Sequence, residues 1–148
     1  MAESTTMLYG TDMVIEAEKG TGVVDLSGSS NACNIKMTAI VGEARVFNTK
    51  WVQRVITAKD CQIDLAAWYS STADEALDYF KDWFAEAAPG PKQFTFYIPR
   101  KEAGADKIQG DFVFTGPSMD IKSGDNQPIP VQTTLMSTGA VTWTTYST

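Results

Sequence analysis

From residue 35 onward the chain alternates apolar and polar positions in short runs. Ile35, Met37, Ala39 and Val41 interleave with Lys36, Thr38 and Ile40, the period of two expected of a strand with one buried face. Gly42 is expected to close that strand. Further strands are predicted at Arg45 to Phe47, Val52 to Ala58 and Gln62 to Tyr69, separated by the turn-forming pairs Asn48-Thr49 and Lys59-Asp60. Phe94, Phe96 and Ile98 alternate before Pro99, and Ile108, Phe112 and Phe114 do so before Gly116-Pro117, with Arg100 to Lys107 as a charged loop between them. Met119-Asp120-Ile121 makes a short apolar patch, Gly124 to Pro128 a turn, and Ile129 to Ser137 a strand with Ile129, Val131, Thr133 and Leu135 on one side. Ala140 to Tyr146 alternates again through Val141, Trp143 and Thr145, so residues 138–148 read as a terminal strand or arm. Residues 1–22 hold three glycines, many small polar residues and only Met13-Val14-Ile15 as an apolar patch, which predicts an extended arm with one weak strand.

One segment has a different period. Thr72-Ala73-Asp74-Glu75 has the form of a capping box, and Ala76, Leu77, Phe80, Trp83, Phe84 and Ala87 follow at helical spacing. A helix over 72–87 is therefore predicted, ended by Ala88-Pro89-Gly90-Pro91. Short strands at regular spacing around a single helix point to an antiparallel β-sandwich or barrel rather than to alternating βαβ units. At 148 residues the chain is expected to form one domain.

Composition narrows the function. Twelve basic against eighteen acidic side chains give a net charge of −6, which argues against a nucleic-acid binder needing a concentrated basic face. The chain has no histidine, so the commonest general base, the usual partner of a serine or cysteine nucleophile and the commonest zinc ligand are all missing. Gly20-Thr21-Gly22 precedes a strand-like stretch and opens no helix, so it is no phosphate cradle. Asp74, Asp78 and Asp82 lie four apart on the predicted helix and read as a solvated face. No catalytic residue, metal ligand or cofactor site emerges, and a non-enzymatic structural role is expected. Cys33 and Cys61 could form a disulfide, half a metal site or two buried thiols; without an export signal or a CxxC spacing, buried thiols in a soluble, cytoplasmically made chain are expected. Trp51, Trp68, Trp83 and Trp143 are expected as core or interface anchors. A non-catalytic carbohydrate-binding β-sandwich is the alternative from another functional class.

The stretch Val24-Asp25-Leu26-Ser27-Gly28-Ser29-Ser30-Asn31-Ala32-Cys33-Asn34-Ile35, followed by Ala44 to Trp51, resembles the opening of tail tube (major tail) proteins of long-tailed bacteriophages. The resemblance continues through Asp64 to Tyr69, the helix, Pro99 and Gly139 to Thr142. Asn48-Thr49-Lys50 stands where that family has Gly-Asp, and no immunoglobulin-like domain is appended. The resemblance implies a β-sandwich or barrel with one flanking helix and a homohexameric ring. Rings would stack into a tube for DNA delivery, in a phage virion tail or in a phage-derived particle such as a gene transfer agent or tailocin. Assembly would take place in the host cytoplasm. The implied partners are other copies of the chain, the tape-measure protein, tail terminator and distal tail proteins, with double-stranded DNA passing but not held and no membrane insertion. Asp25, Ser27, Gly28, Asn31 and Trp51 are the candidate assembly motif, with Gly28 expected at positive φ and Asp25, Ser27 and Asn31 bonding backbone groups. Asp111 and Asp120 are the candidate acids of a net negative bore, which would repel phosphate.

Overall fold

Among the described residues, nine strands and one helix follow in the order β1 (Val14–Lys19), β2 (Gly22–Asp25), β3 (Ser30–Ala44), β4 (Gln53–Trp68), α1 (Ala76–Ala85), β5 (Lys92–Ile98), β6 (Asp106–Phe114), β7 (Ser118–Met119), β8 (Pro130–Ser137) and β9 (Thr142–Thr145). They belong to a computed structural model that describes residues 13–28, 30–48, 50–69, 75–98, 100–124 and 128–147. The strands form one antiparallel sheet in the order β2-β1-β5-β6-β8-β4-β3, with β7 on β8 and β9 on β6. Its two edges, β2 and β3, are joined by residues 26–29 alone, a connection of about 17 Å at full stretch. Leu26 within it is fully buried and its N–H donates to the Ile15 carbonyl at 2.8 Å. A single core then joins Ile15 and Ala17 of β1 to Cys61, Ile63, Leu65 and Ala67 of β4. The sheet is therefore curled into a barrel-like layer with one helix against it, the β-rich class that the alternation predicts.

Helix α1 anchors that layer through rings. Phe80 stacks on Phe94 at 6.4 Å and on Phe114 at 6.0 Å, and Trp83 lies on Phe114 at a centroid distance of 4.0 Å. Trp83 Nε1 donates to the Gly90 carbonyl at 2.9 Å, and the Tyr79 hydroxyl donates to the Glu18 carbonyl at 2.6 Å. Each polar tip thereby finds a partner while its ring stays in the core. The buried face is Ala76, Tyr79, Phe80 and Trp83, rotated by about 45° from the expected arc at 100° per residue. Leu77 is half-buried and Phe84 is 67% exposed. The expected capping box is not what starts the helix: Glu75 is the N-cap and makes no side-chain cap bond, Thr72 lies outside the described residues, and α1 ends at Ala85.

Several expected boundaries are corrected. Gly42 does not close β3, Arg45 to Phe47 form no strand, and Lys59-Asp60 form no turn. The segments expected as Val52 to Ala58 and Gln62 to Tyr69 are one sixteen-residue strand, β4. The strand expected in the N-terminal arm is β1, held between β2 and β5 with Ile15 and Ala17 in the core; residues 1–12 lie outside the described residues. At the other terminus β9 pairs with Asp106 to Gln109 of β6, and the Tyr146 N–H donates to the Ala105 carbonyl at 2.7 Å. Within residues 138–148 the strand is Thr142 to Thr145.

Replacing Phe80 by Ala is expected to lower unfolding free energy by about 3–5 kcal/mol, the range for a buried aromatic truncated in a packed core. Phe84→Ala should cost less than about 1 kcal/mol. Chemical denaturation of both variants checks the orientation of the helix; equal losses would contradict it.

Candidate assembly surface

The sheet forks where β4 leaves the body. From Trp68 back to Gln62, β4 is paired on both sides, with β3 and with β8. Beyond Cys61 its partner is β3 alone, through Ala44↔Gln53. On the body side Cys61, Ile63, Leu65 and Ala67 face the core, whereas every position from Gln53 to Asp60 is exposed. β3 shows the same change, with Lys36 to Val41 exposed. Residues 36–60 thus project as a two-stranded ribbon, roughly 30 Å long at 3.3 Å per residue.

This ribbon is apolar on both faces. Met37, Ile40, Val41, Val46, Val55 and Ile56 are all exposed, Trp51 is 84% exposed and Phe47 is 99% exposed. Ile40-Val41 and Val55-Ile56 are adjacent pairs, and neighbours in a strand point to opposite sides, so no single face of the subunit could bury them all. Local polar contacts hold the ribbon's register. Glu43 faces Arg54 and accepts from its Nε at 3.0 Å, and the Thr57 hydroxyl donates to the Ile40 carbonyl at 3.1 Å beside a register shift. Asn48, at φ 68°, makes the turn at the tip, a left-handed conformation that asparagine tolerates better than most residues.

The other branch of the fork is the C-terminal segment. β8 follows β6 at Leu135↔Phe114 and Ser137↔Phe112, and β9 resumes the same edge at Thr142↔Gln109. The intervening residues 138–141 contain two more residues than the ladder needs and bulge over Gly110 of β6. Gly110 allows this: a Cβ there would sit 2.9 Å from Val141 Cγ2 and 3.3 Å from its Cα. Between the departing ribbon and this bulge lies a groove of about 640 Å³, lined by Met37, Ala39, Cys61, Ala140, Val141 and Trp143 and also by Thr38, Lys59, Asp60 and Ser137.

The candidate assembly residues divide between two places. Asp25 accepts from the Ser27 N–H at 2.9 Å and also from the Ser27 hydroxyl, a closed turn at the end of β2. Asn31 is the extra residue of a bulge where β3 begins, opposite Ala66 and Ala67. Gly28 is not at positive φ, as expected from sequence; its role is steric, because a Cβ would lie 3.1 and 3.2 Å from the Glu75 carboxylate oxygens. Trp51 lies near the far end of the ribbon, a contour of about 40 Å from Asn31 along β3. Asp111 and Asp120 are both exposed, but they flank opposite ends of β8, beside Ser137 and Val131 respectively. Six residues of strand, about 20 Å, separate these ends.

Among the described residues there is no group of three or more Cys, Asp or Glu side chains able to hold a metal ion, and no helix is long and apolar enough to cross a membrane. Both cysteines are free thiols. Burial, with a smaller contribution from Asp64, pushes the Cys33 thiol up to about 12, and burial raises Cys61 as well. Both stay protonated near neutrality, unlike the low-pKa thiolates of reactive sites.

No protein-family model matches the sequence and no curated protein matches it. Among solved structures, the fold is shared with a chain of the tail of an empty GTA particle with C6 symmetry (TM-score 0.72, 17% identity, 93% of this chain and 99% of that one). It is shared also with a chain of the sheath–tube complex of the PVC extracellular contractile injection system (TM-score 0.70, 11% identity, covering 98% and 100%). A third is a chain of the tube-terminating cap of the anti-feeding prophage (TM-score 0.72, 12% identity, covering 99% and 96%). The likeness spans nearly the whole of each chain and shows a common fold.

Because Phe47 touches nothing it needs for folding, Phe47→Asp should leave the subunit's unfolding free energy within about 0.5 kcal/mol of wild type. The same variant should lose self-association, followed by analytical ultracentrifugation. Unchanged association would remove the ribbon tip from the assembly surface.

Proposed function

We propose that this chain is the structural subunit of a tail tube, in a phage virion or a phage-derived particle, closing into six-membered rings that stack into a conduit. The observation that carries this reading is the projecting ribbon, whose two apolar faces have no cover within the subunit. A monomer rarely leaves so much contiguous apolar surface to water, and a second copy is the simplest cover. A contact that closes by rotation gives a ring, and one that repeats along an axis gives a filament. The shared fold with chains from a C6-symmetric tail and from a sheath–tube complex supports both kinds of contact.

In this reading the chain performs no chemistry. Its work is to enclose a bore, and its partners are other copies of itself, a tape-measure protein, a tail terminator and distal tail proteins. The net charge of −6 suits passage of DNA, since a bore that neutralised even six to ten phosphates would grip the duplex in a strongly salt-dependent way. Asp111 and Asp120, at opposite ends of β8, would set two acidic levels along such a bore. The turn at Asp25 to Asn31 would fix how β3 leaves the curled sheet.

Negative-stain microscopy of the purified protein at high concentration should show rings or tubes. Those tubes should not retain double-stranded DNA at physiological salt. A strictly monomeric species with glycan affinity would overturn the reading.

A further inference from the structure

Resting on the tube-subunit reading, we infer that the bulge at Thr57 is a locked elbow that aims the outer half of the ribbon and thereby sets the rotation between successive copies in the tube. In the middle of the ribbon Ala58 faces Ile40 and Ile56 faces Val41, so Thr57 is one residue more than the ladder needs. A bulge of this kind bends its strand and increases the local twist. No core requires it there, since Thr57 and its neighbours from Gln53 to Asp60 are all exposed.

Two side-chain features hold the bend at one angle. The Thr57 hydroxyl donates to the Ile40 carbonyl at 3.1 Å, which ties the extra residue to the opposite strand. Its methyl group lies over Gly42, where a Cβ would sit 3.0 Å from Thr57 Cγ2. Gly42 is half-buried although its neighbours on β3 are exposed, and it is not at positive φ. A glycine inside a strand weakens it and marks a bulge or a close approach; this one makes room for Thr57.

The bulge leaves the facing side chains as they are and changes only direction. Beyond it Gly42 faces Val55 and Glu43 faces Arg54. With Thr57 removed, Ala58 would still face Ile40 and Ile56 would still face Val41, now in an unbroken ladder. From Val41 to Phe47 the ribbon is a lever of about 20 Å, so about 10° of bend moves its end by about 3.5 Å. The apolar faces of that lever are the surfaces other copies must cover, so its direction places a neighbour relative to the body. In a contact that repeats along an axis, the same displacement recurs at every step and accumulates as twist.

Deletion of Thr57 tests this, because it removes the bend and keeps every other ribbon residue and pairing. Spin labels at Phe47→Cys and Gln93→Cys, both exposed positions, in a Cys33→Ala, Cys61→Ala background, report the angle in the free subunit by double electron–electron resonance. The deletion should shift the label distance by at least about 3 Å, the displacement of a lever of this length. Gly42→Ala asks the same question at unchanged chain length: it should shift the distance too. Adding Thr57→Ser, which removes Cγ2 and keeps the hydroxyl, should restore the wild-type value. Distances that stay at the wild-type value in both the deletion and Gly42→Ala would overturn the elbow. In helical reconstruction by cryo-electron microscopy, tubes of the deletion variant should differ in twist by several degrees per ring, or stop at single rings. Tubes of wild-type twist built from subunits with a shifted distance would overturn the link to tube geometry. Failure of the wild-type chain to form tubes would overturn the tube reading, while the distances would still decide whether the elbow exists.

Discussion

Past Cys61, β4 has one partner, and a two-stranded ribbon offers no third element to cover either of its faces. Isolated hairpins are marginal in water; this one persists because its strands continue the two that bury Ile63 and Leu65 in the core. The body therefore supplies the stability and the ribbon spends it on exposed apolar surface. The fork at Gln62, the bulge at residues 138–141 and the groove between them follow from that departure. So does the need for a partner, because Ile40 and Val41 face opposite ways and cannot both be buried by one subunit.

Alternation made much of the body legible in the sequence. Val131, Thr133 and Leu135 are buried on one side of β8, and Ile35 half-buried across from Ile63, as their spacing predicts. The helix was legible in position but not in phase, because the apolar arc drawn from the spacing leaves out Tyr79, which is buried. Its hydroxyl is satisfied by the Glu18 carbonyl from 61 residues away, a contact no local pattern contains. Lys59-Asp60 misled for a related reason. Two polar residues inside a strand look like a turn when one face is assumed to be buried; here they mark where β4 leaves the core and both faces meet solvent.

The assembly surface was the least legible part. The ribbon did leave a signal, the adjacent apolar pairs Ile40-Val41 and Val55-Ile56, which break the period of two without opening a helix. The groove left none, since Val141 is brought to the paired residues Met37 and Cys61 only through the β4–β8 and β6–β9 ladders, between segments distant in the sequence. The turn at Asp25 and Ser27 was readable from side-chain chemistry, while the need for glycine at position 28 comes from Glu75, across the fold. Sequence resemblance and fold agree on the same architecture.

The central claim is that residues 36–60 are folded but uncovered in the free subunit and covered in the assembly. Hydrogen–deuterium exchange on dilute subunit and on assembled tubes measures this directly. The account predicts that amides of the ribbon exchange rapidly in the free subunit and slow by at least about tenfold on assembly, while those of β5 and β6 are protected in both. Equal exchange of the ribbon in the two states would contradict it.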